Sequence, residues 1–442
     1  MARRAPSAKK PQAAKKHSSS AKRLKVALVG FGTVGRSVAK ILCQDPNGPF
    51  LLTHICNRNI SRKKVDTLPG HIRWTESFDE VLASDADVVV ELIGGLEPAA
   101  DWVRRALRAG KSVVTANKLL IADHGPQLRE LARKHGQRLE FGASVAGGIP
   151  AIVAIQEGLA GDRLFRIAGI LNGTCNYILT RMESTGVGFE SALKEAQQLG
   201  FAEADPTSDV GGFDARAKLV ILIQAGLGLS VRSEEVPCAS ISPIDAVDFA
   251  YANELNCTIR QISIAQKDVA NGMRLLAAVR PTLVPRTSLI AHVQRNQNMV
   301  LVNGEFAGQI VLSGFGAGGD PTAVAVVSDL YAIARQGTAS SGMTDGSVEE
   351  PKSVSGDFTV PHYVRFVVKD RPGIVADVAA IFAKHSISID ALLQRPGYLH
   401  TSLPFIVTLE ACSTTTIERA LAEIADLDFH VQPPLCLPIL SE

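Results

Sequence analysis

Short apolar runs alternate with helical patterns over the first third of the chain. Lys25-Val26-Ala27-Leu28-Val29 reads as a buried strand, and the amphipathic stretch from Arg36 to Leu42 as a helix. Leu51 to Cys56, Ala86 to Gly95 and Ser112-Val113-Val114 continue the strand pattern around a helix over 98–109, and Leu139-Glu140-Phe141 begins another strand. Strands alternating with helices predict an α/β domain with a parallel sheet. Gly169-Ile170-Leu171 is a strand that ends in a polar turn before a helix, residues 219–313 mix helical and strand patterns, and a helix runs from Thr322 to Arg335. Residues 337–360, rich in Ser, Thr, Gly and acid, read as a linker. Beyond them, strands over His362 to Val368, Ile387 to Ile389 and Pro404 to Leu409, with helices from Ile374 and from Thr415, fit a βαββαβ ferredoxin-like unit.

The first strand runs into Gly30-Phe31-Gly32-Thr33-Val34-Gly35 and then the helix, the order that a dinucleotide-binding Rossmann turn requires. Gly30 makes the turn, Gly32 lets a pyrophosphate approach the backbone, and Gly35 lets helix pack on strand, while helix N-terminal amides face the phosphates. An acid at the end of the second strand would hold the ribose hydroxyls of NAD; here Asn57-Arg58-Asn59 stands instead, followed by Arg62, Lys63 and Lys64. This favours NADP(H) over NAD(H), with Arg58 facing the 2′-phosphate, against the plainer reading of a solvated basic loop. Ligands of parallel sheets gather beyond the carboxyl ends of strands, where Thr115-Ala116-Asn117-Lys118 lies.

The densest chemistry follows Gly200. Glu203, Asp205, Asp209 and Asp214 precede Lys218 in a stretch broken by Pro206, Gly211 and Gly212, and an apolar run begins at Leu219. A helix starting near Phe213 puts Asp214 and Lys218 on one face, i to i+4; taken alone the two could be an ordinary surface pair worth a few tenths of a kcal/mol. In Gly142-Ala143-Ser144-Val145-Ala146-Gly147-Gly148-Ile149-Pro150, small residues let backbone carbonyls converge on a monovalent cation or a closely approaching substrate, or else form a flexible crossover.

Composition narrows the class. At 442 residues, 46% hydrophobic and 20% charged, the chain has material for two or three domains of an ordinary globular enzyme. A net charge of +2 makes no case for nucleic acid, because the basic excess sits in residues 1–23. That segment has no acidic residue and reads as a disordered tail rather than a transit peptide, since it lacks an apolar face. Seven scattered cysteines without a CxxC pair fit reduced thiols in a cytoplasm, and no apolar run is long enough for a membrane span.

Gly-Phe-Ala-Glu-Ala-Asp-Pro at 200–206, Asp-Val-Gly-Gly-Phe-Asp at 209–214 and Lys218 together resemble the substrate segment of homoserine dehydrogenases, as do Glu-Leu-Ile-Gly-Gly at 91–95, Thr-Ala-Asn-Lys at 115–118 and the stretch from Gly169. The C-terminal unit resembles an ACT domain, an amino-acid-sensing module. The resemblance implies reversible reduction of L-aspartate 4-semialdehyde to L-homoserine with NAD(P)H, Lys218 as proton donor, Lys118 orienting or sharing that task near the nicotinamide, Asp214 positioning substrate and Lys218, Glu203 holding the substrate ammonium and Asp209 a weaker substrate contact. It implies cofactor contacts at Gly30, Phe31, Gly32, Thr33, Val34, Gly35, Arg58, Thr115, Lys118 and Gly319, and a sodium site on the carbonyls of Gly142, Val145, Gly147 and Ile149. Gly142 stands where the family usually has Glu, and Cys175, where it has Thr, reads as packing. The implied organisation is a dinucleotide domain at 24–150 completed by 316–336, a substrate and dimerisation domain at 151–315, and an ACT domain at 361–438. Threonine is the expected effector, and a homodimer or homotetramer the expected assembly. A related amino-acid dehydrogenase and a catalytically inactive sensor with a retained nucleotide fold stay open as alternatives.

Overall fold

The computed structural model describes residues 23–63, 65, 67–268, 273–336 and 349–441. The basic tail, Arg23 apart, and the first part of the expected linker lie outside the described residues. The N-terminal domain follows the expected order: β1 (Leu24–Val29), α1 (Thr33–Gln44), β2 (Phe50–Cys56), α2 (Ile60–Lys63), β3 (Arg73–Thr75), α3 (Phe78–Ala83), β4 (Val88–Glu91), α4 (Ala99–Arg108), β5 (Ser112–Thr115), α5 (Lys118–Lys134) and β6 (Leu139–Glu140). The strands form one parallel sheet in the order β3-β2-β1-β4-β5-β6. The order reverses beside β1, so a crevice opens there at the carboxyl ends, beneath the glycine turn.

The second domain begins with α6 (Ala151–Val153), β7 (Leu164–Ile170), α7 (Gly173–Thr185), α8 (Phe189–Gln198), α9 (Thr207–Val210), α10 (Phe213–Leu222) and α11 (Ala246–Glu254). It continues through β8 (Cys257–Asp268), β9 (Arg274–Pro285), β10 (Gln297–Gly304) and β11 (Gly308–Phe315). These strands build a sheet ordered β11-β10-β7-β8-β9, antiparallel throughout. Helix α10 runs through the core: from Leu219 to Leu222 every side chain is buried. The chain then returns to the first domain as α12 (Gly319–Gln336), whose Ala323, Val326, Leu330 and Ile333 join Val26, Leu28, Val38 and Val88 in one apolar cluster. Its start lies close against α1, since a Cβ on Gly319 would come 2.9 Å from Thr33 Cγ2.

The linker expectation needs correction. Ser353–Ser355 forms β12, which extends the second domain's sheet by pairing parallel with β9, and Glu349 bridges to Leu229. The polar composition that suggested a loose tether is that of an edge strand, whose outer side faces water. Then come β13 (Thr359–Val368), α13 (Ile374–Lys384), β14 (Ile389–Leu393), β15 (Leu403–Ser413), α14 (Thr414–Ala425) and β16 (His430–Pro438), a four-stranded sheet in the order β14-β15-β13-β16. This βαββαβ unit does not hang free. Tyr363, Ile406 and Leu437 share an apolar cluster with Ile178, Met182 and Tyr251 of the second domain. Inside the seam Arg365 pairs with the fully buried Asp248 of α11, which also accepts a hydrogen bond from Tyr363 Oη at 2.8 Å.

Candidate active site

The glycine turn is shaped as its spacing requires. Gly30 has φ +104°, and a Cβ there would sit 2.6 Å from the Leu92 carbonyl oxygen. A Cβ on Gly35 would lie 2.2 Å from the Gly30 carbonyl oxygen, so helix and turn touch only because Gly35 has no side chain. Space is open beside Gly32, and no side chain caps the amides of α1, whose first turn carries no acid. Such a cradle fits a pyrophosphate. Buried Phe31 donates its N–H to Asn57 Oδ1 at 2.9 Å, tying the turn to the end of β2, where Arg58 is exposed. Thr33 and Val34 open α1. Thr115 is fully buried, and its hydroxyl donates to Glu91 Oε2 at 2.6 Å, so it braces the loop from below. Glu91, which the motifs left without a role, also accepts the N–H of Ile93 at 2.8 Å; burial raises its carboxyl despite these hydrogen bonds.

Beyond β5, Asn117 caps α5 by accepting from Leu120 N, and Lys118 is the first residue of that helix. It meets a helix from the other domain. The Lys118 ammonium pairs with Asp214 Oδ1, and Lys218 donates to Asp214 Oδ2 at 2.7 Å and to the Leu171 carbonyl at 2.8 Å. Asp214 and Lys218 are buried, which excludes the surface-pair alternative. Burial alone would raise the Asp214 carboxyl, but the two ammonium groups and their hydrogen bonds hold it far below the usual range. Lys118 is likewise desolvated, yet Asp214, with Asp209 and Glu203 farther off, raises it. Both lysines line a 260 Å³ cleft whose other walls include Val34 of the nucleotide turn, Leu92, Ser144 and Ala317.

Glu203 is exposed on the loop before α9, near enough to bear on Lys118. Asp209 lies deeper; burial raises its carboxyl, against a 2.7 Å hydrogen bond from Asn172 Nδ2. Asn172, absent from the expected set, also donates to Asp214 Oδ2 at 2.8 Å. The Cys175 thiol donates to the Asp209 carbonyl at 3.1 Å, and burial pushes it well up, as suits a packing residue.

In the small-residue loop, Ala146 and Gly147 are both left-handed, with φ +58° and +52°. Val145 and Ile149 are buried, and the Ala146 carbonyl already accepts from Ile149 N at 2.9 Å. Among the described residues no cluster of His, Cys, Asp or Glu could hold a metal, so a cation here would rest on carbonyls. The departure at Gly142 has a structural counterpart: a Cβ there would lie 2.7 Å from Oδ1 of buried Asp329 on α12, which accepts the N–H groups of Gly142 and Ala143. A larger, 620 Å³ cavity beside α7 contains neither lysine nor glycine turn; in its wall Arg260 and Arg286 pair with Glu183 and Arg181 pairs with Glu195, while Arg295 also lines it. The two lysines and Val34 of the nucleotide turn meet in the smaller cleft.

Family models agree with this architecture. Residues 30–142 match the homoserine dehydrogenase NAD-binding domain, 150–331 match homoserine dehydrogenase, and 362–429 match the ACT domain. The homoserine dehydrogenase of Bacillus subtilis (strain 168) is 38% identical over 396 residues, covering 87% of this chain and 91% of its own. That of Synechocystis sp. is 37% identical over 440 residues, covering 95% and 100%. The crystal structure of a homoserine dehydrogenase from Thiobacillus denitrificans superposes with a TM-score of 0.87 at 36% identity, over 95% of this chain and 98% of that one. A hyperthermophilic archaeal homoserine dehydrogenase solved in complex with NADPH is similar over 72% of this chain and 99% of its own, with a TM-score of 0.61 at 26% identity. With its nucleotide turn, its lysine-clasped aspartate and its appended ACT module, the chain belongs to the homoserine dehydrogenase family of oxidoreductases.

Proposed function

We propose that the cleft interconverts L-aspartate 4-semialdehyde and L-homoserine, with Lys218 as the group that gives a proton to the aldehyde oxygen and takes it back in the reverse direction. The observation that carries this reading is the sharing of one buried aspartate by two lysines at the cleft wall. A bound nicotinamide cofactor supplies the hydride to the aldehyde carbon in reduction and accepts it in oxidation. The Lys218 ammonium has three N–H donors; Leu171 and Asp214 take two, and the third is left for the substrate oxygen. Its positive charge also offsets the negative charge that develops on that oxygen. Lys118 orients the substrate from the cofactor side, Asp214 positions both lysines, and Glu203, at the exposed rim, holds the substrate ammonium, with Asp209 as a lesser contact. The turn over 30–35 with Arg58, Thr115, Lys118 and Gly319 forms the cofactor side, for NADP(H) ahead of NAD(H). The carbonyls of Gly142, Val145, Gly147 and Ile149 are the proposed seat of a monovalent cation such as sodium.

The test is NADPH and NADH oxidation with aspartate semialdehyde. Lys218→Ala should lose roughly 10²-fold or more in turnover, the scale of a positioned acid–base group, while still binding cofactor. Near-normal turnover would move the donor to Lys118. In the reverse assay, NADP⁺ reduction with homoserine, Glu203→Gln should raise KM for homoserine well beyond that for cofactor; equal rises would make Glu203 structural.

For the C-terminal module we infer an amino-acid effector, threonine, bound where Asp370-Arg371-Pro372-Gly373 enters α13. Gly373 there is left-handed at φ +101°, and no side chain caps the N-terminus of α13. Pairing of two such modules across a homodimer or homotetramer would complete that site.

A further inference from the structure

Every polar atom of the Asn172 side chain is engaged within the site. Its Oδ1 accepts from Cys175 N at 2.7 Å, capping α7, while Nδ2 donates to Asp209 Oδ1 at 2.7 Å and Asp214 Oδ2 at 2.8 Å. The residue is 3% exposed. We propose that Asn172 is a positioning residue for hydride and proton transfer, a neutral clamp that holds two neighbouring carboxylates in the one arrangement that presents both lysines to the cleft. The proposal deepens the reading of Lys118, Lys218 and Asp214 given above and rests on it.

The amide cannot be turned over. A flip would set Oδ1 against two carboxylates and the NH₂ group against the Cys175 N–H, replacing three attractive contacts by three repulsive ones. Its orientation is therefore fixed by the helix cap, and the cap fixes where the two N–H bonds point. Leu171 and Asn172 thus grip both members of the i,i+4 pair from the end of β7: the Leu171 carbonyl takes Lys218, and the Asn172 amide takes Asp214. Asp214 Oδ2 then has two donors and Oδ1 has Lys118, so the plane of its carboxylate is set. Asp209 faces Asp214 and Lys218 on α10, Lys118 on α5 and Cys175 on α7; burial and Asp214 oppose its charged form, and the Asn172 N–H, together with the two more distant ammonium groups, favours it. Two carboxylates offset two ammonium groups here. Protonation of Asp209 would leave an excess positive charge and loosen the seat of the lysines.

Cap and clamp can be separated. Asn172→Ser retains an oxygen suited to a helix N-cap but has no amide to reach both carboxylates, whereas Asn172→Ala loses both functions. Thermal unfolding of the full chain should show Ser recovering most of the stability lost in Ala. Both variants should nevertheless fall roughly 10- to 100-fold in kcat/KM for homoserine, the scale of hydrogen bonds to charged groups, with KM for cofactor little changed. In both, the acid limb of the pH–rate profile should move to higher pH, because Asp209 loses a donor to its ionised form; Asn172→Asp, with a third carboxylate, should move it farther. Wild-type kcat/KM in Asn172→Ser would reduce the residue to a helix cap and overturn the proposal, as would lost activity with an unmoved acid limb. Lys218→Ala, measured alongside, distinguishes the two readings: near-normal turnover there rejects Lys218 as donor, while the acid limbs of the Asn172 variants still decide the clamp.

Discussion

Replacing Arg365 by Met should unsettle the join between the ACT module and the substrate domain by a predictable amount. Asp248 has no exposed side-chain surface and the Arg365 side chain is 5% exposed, so the variant leaves a buried carboxylate without its cation. Breaking a buried pair by removing one partner costs about 3–5 kcal/mol. Asp248 would keep the Tyr363 hydroxyl and the Asp245 N–H, both at 2.8 Å, which puts the expectation at about 3 kcal/mol, the lower end. Burial already raises the Asp248 carboxyl with Arg365 in place, and losing the guanidinium raises it further. A raised folded-state value means stability that is present at low pH and lost as pH rises through that value, so the deficit should be larger at pH 8 than at pH 5. Asp248→Asn combined with Arg365→Met, a neutral pair, should be less impaired than Arg365→Met alone. Urea unfolding followed by near-ultraviolet circular dichroism suits the test, because Tyr251 and Tyr363 both lie in the seam. A loss below about 1 kcal/mol, or equal losses at the two pH values, would refute the reasoning.

Two further outcomes follow from the nucleotide turn and the regulatory module. Arg58→Ala should weaken NADP(H) and leave NAD(H) nearly unchanged, since only the former has a 2′-phosphate to pair; fluorescence titration with each cofactor checks this, and a wild-type preference for NADH would sink it. Threonine should bind the full chain and lower its activity, with differential affinity for two domain arrangements supplying the coupling. Calorimetry showing no binding would reject threonine as effector. A chain cut near Ser340 is a poor control, because it removes β12 and uncovers Asp248 along with the module.

Local rules made much of this molecule readable. The strand, glycine turn and helix around Gly30 obey short-range sterics, and Asp214 with Lys218 announces one helical face, so both features are visible in a few residues. What pairs with what across the fold was less legible. Asn172 looks like any helix cap, and its second role depends on α9 and α10 arriving beside it. Asp248 reads as an ordinary third residue of a capping box until β13 brings Arg365. Gly142 looked only like a missing Glu; the Asp329 carboxylate that crowds it comes from α12, far along the chain. The segment after α12 resembled a tether because an edge strand shares a tether's polarity, and its pairing with β9 leaves no local periodicity.

The return of α12 to the nucleotide domain bears on the order in which the protein can assemble. Val26, Leu28, Val88 and Val90 form one apolar face of the parallel sheet, and Val326, Leu330 and Ile333 help to cover it. On the ribosome, those covering residues emerge only after the substrate domain has been translated through β11, with its edge strand β12 still to come. The first domain to be made is thus among the last to be sealed, and until then its sheet presents bare hydrocarbon to whatever chaperone or neighbouring nascent chain is near.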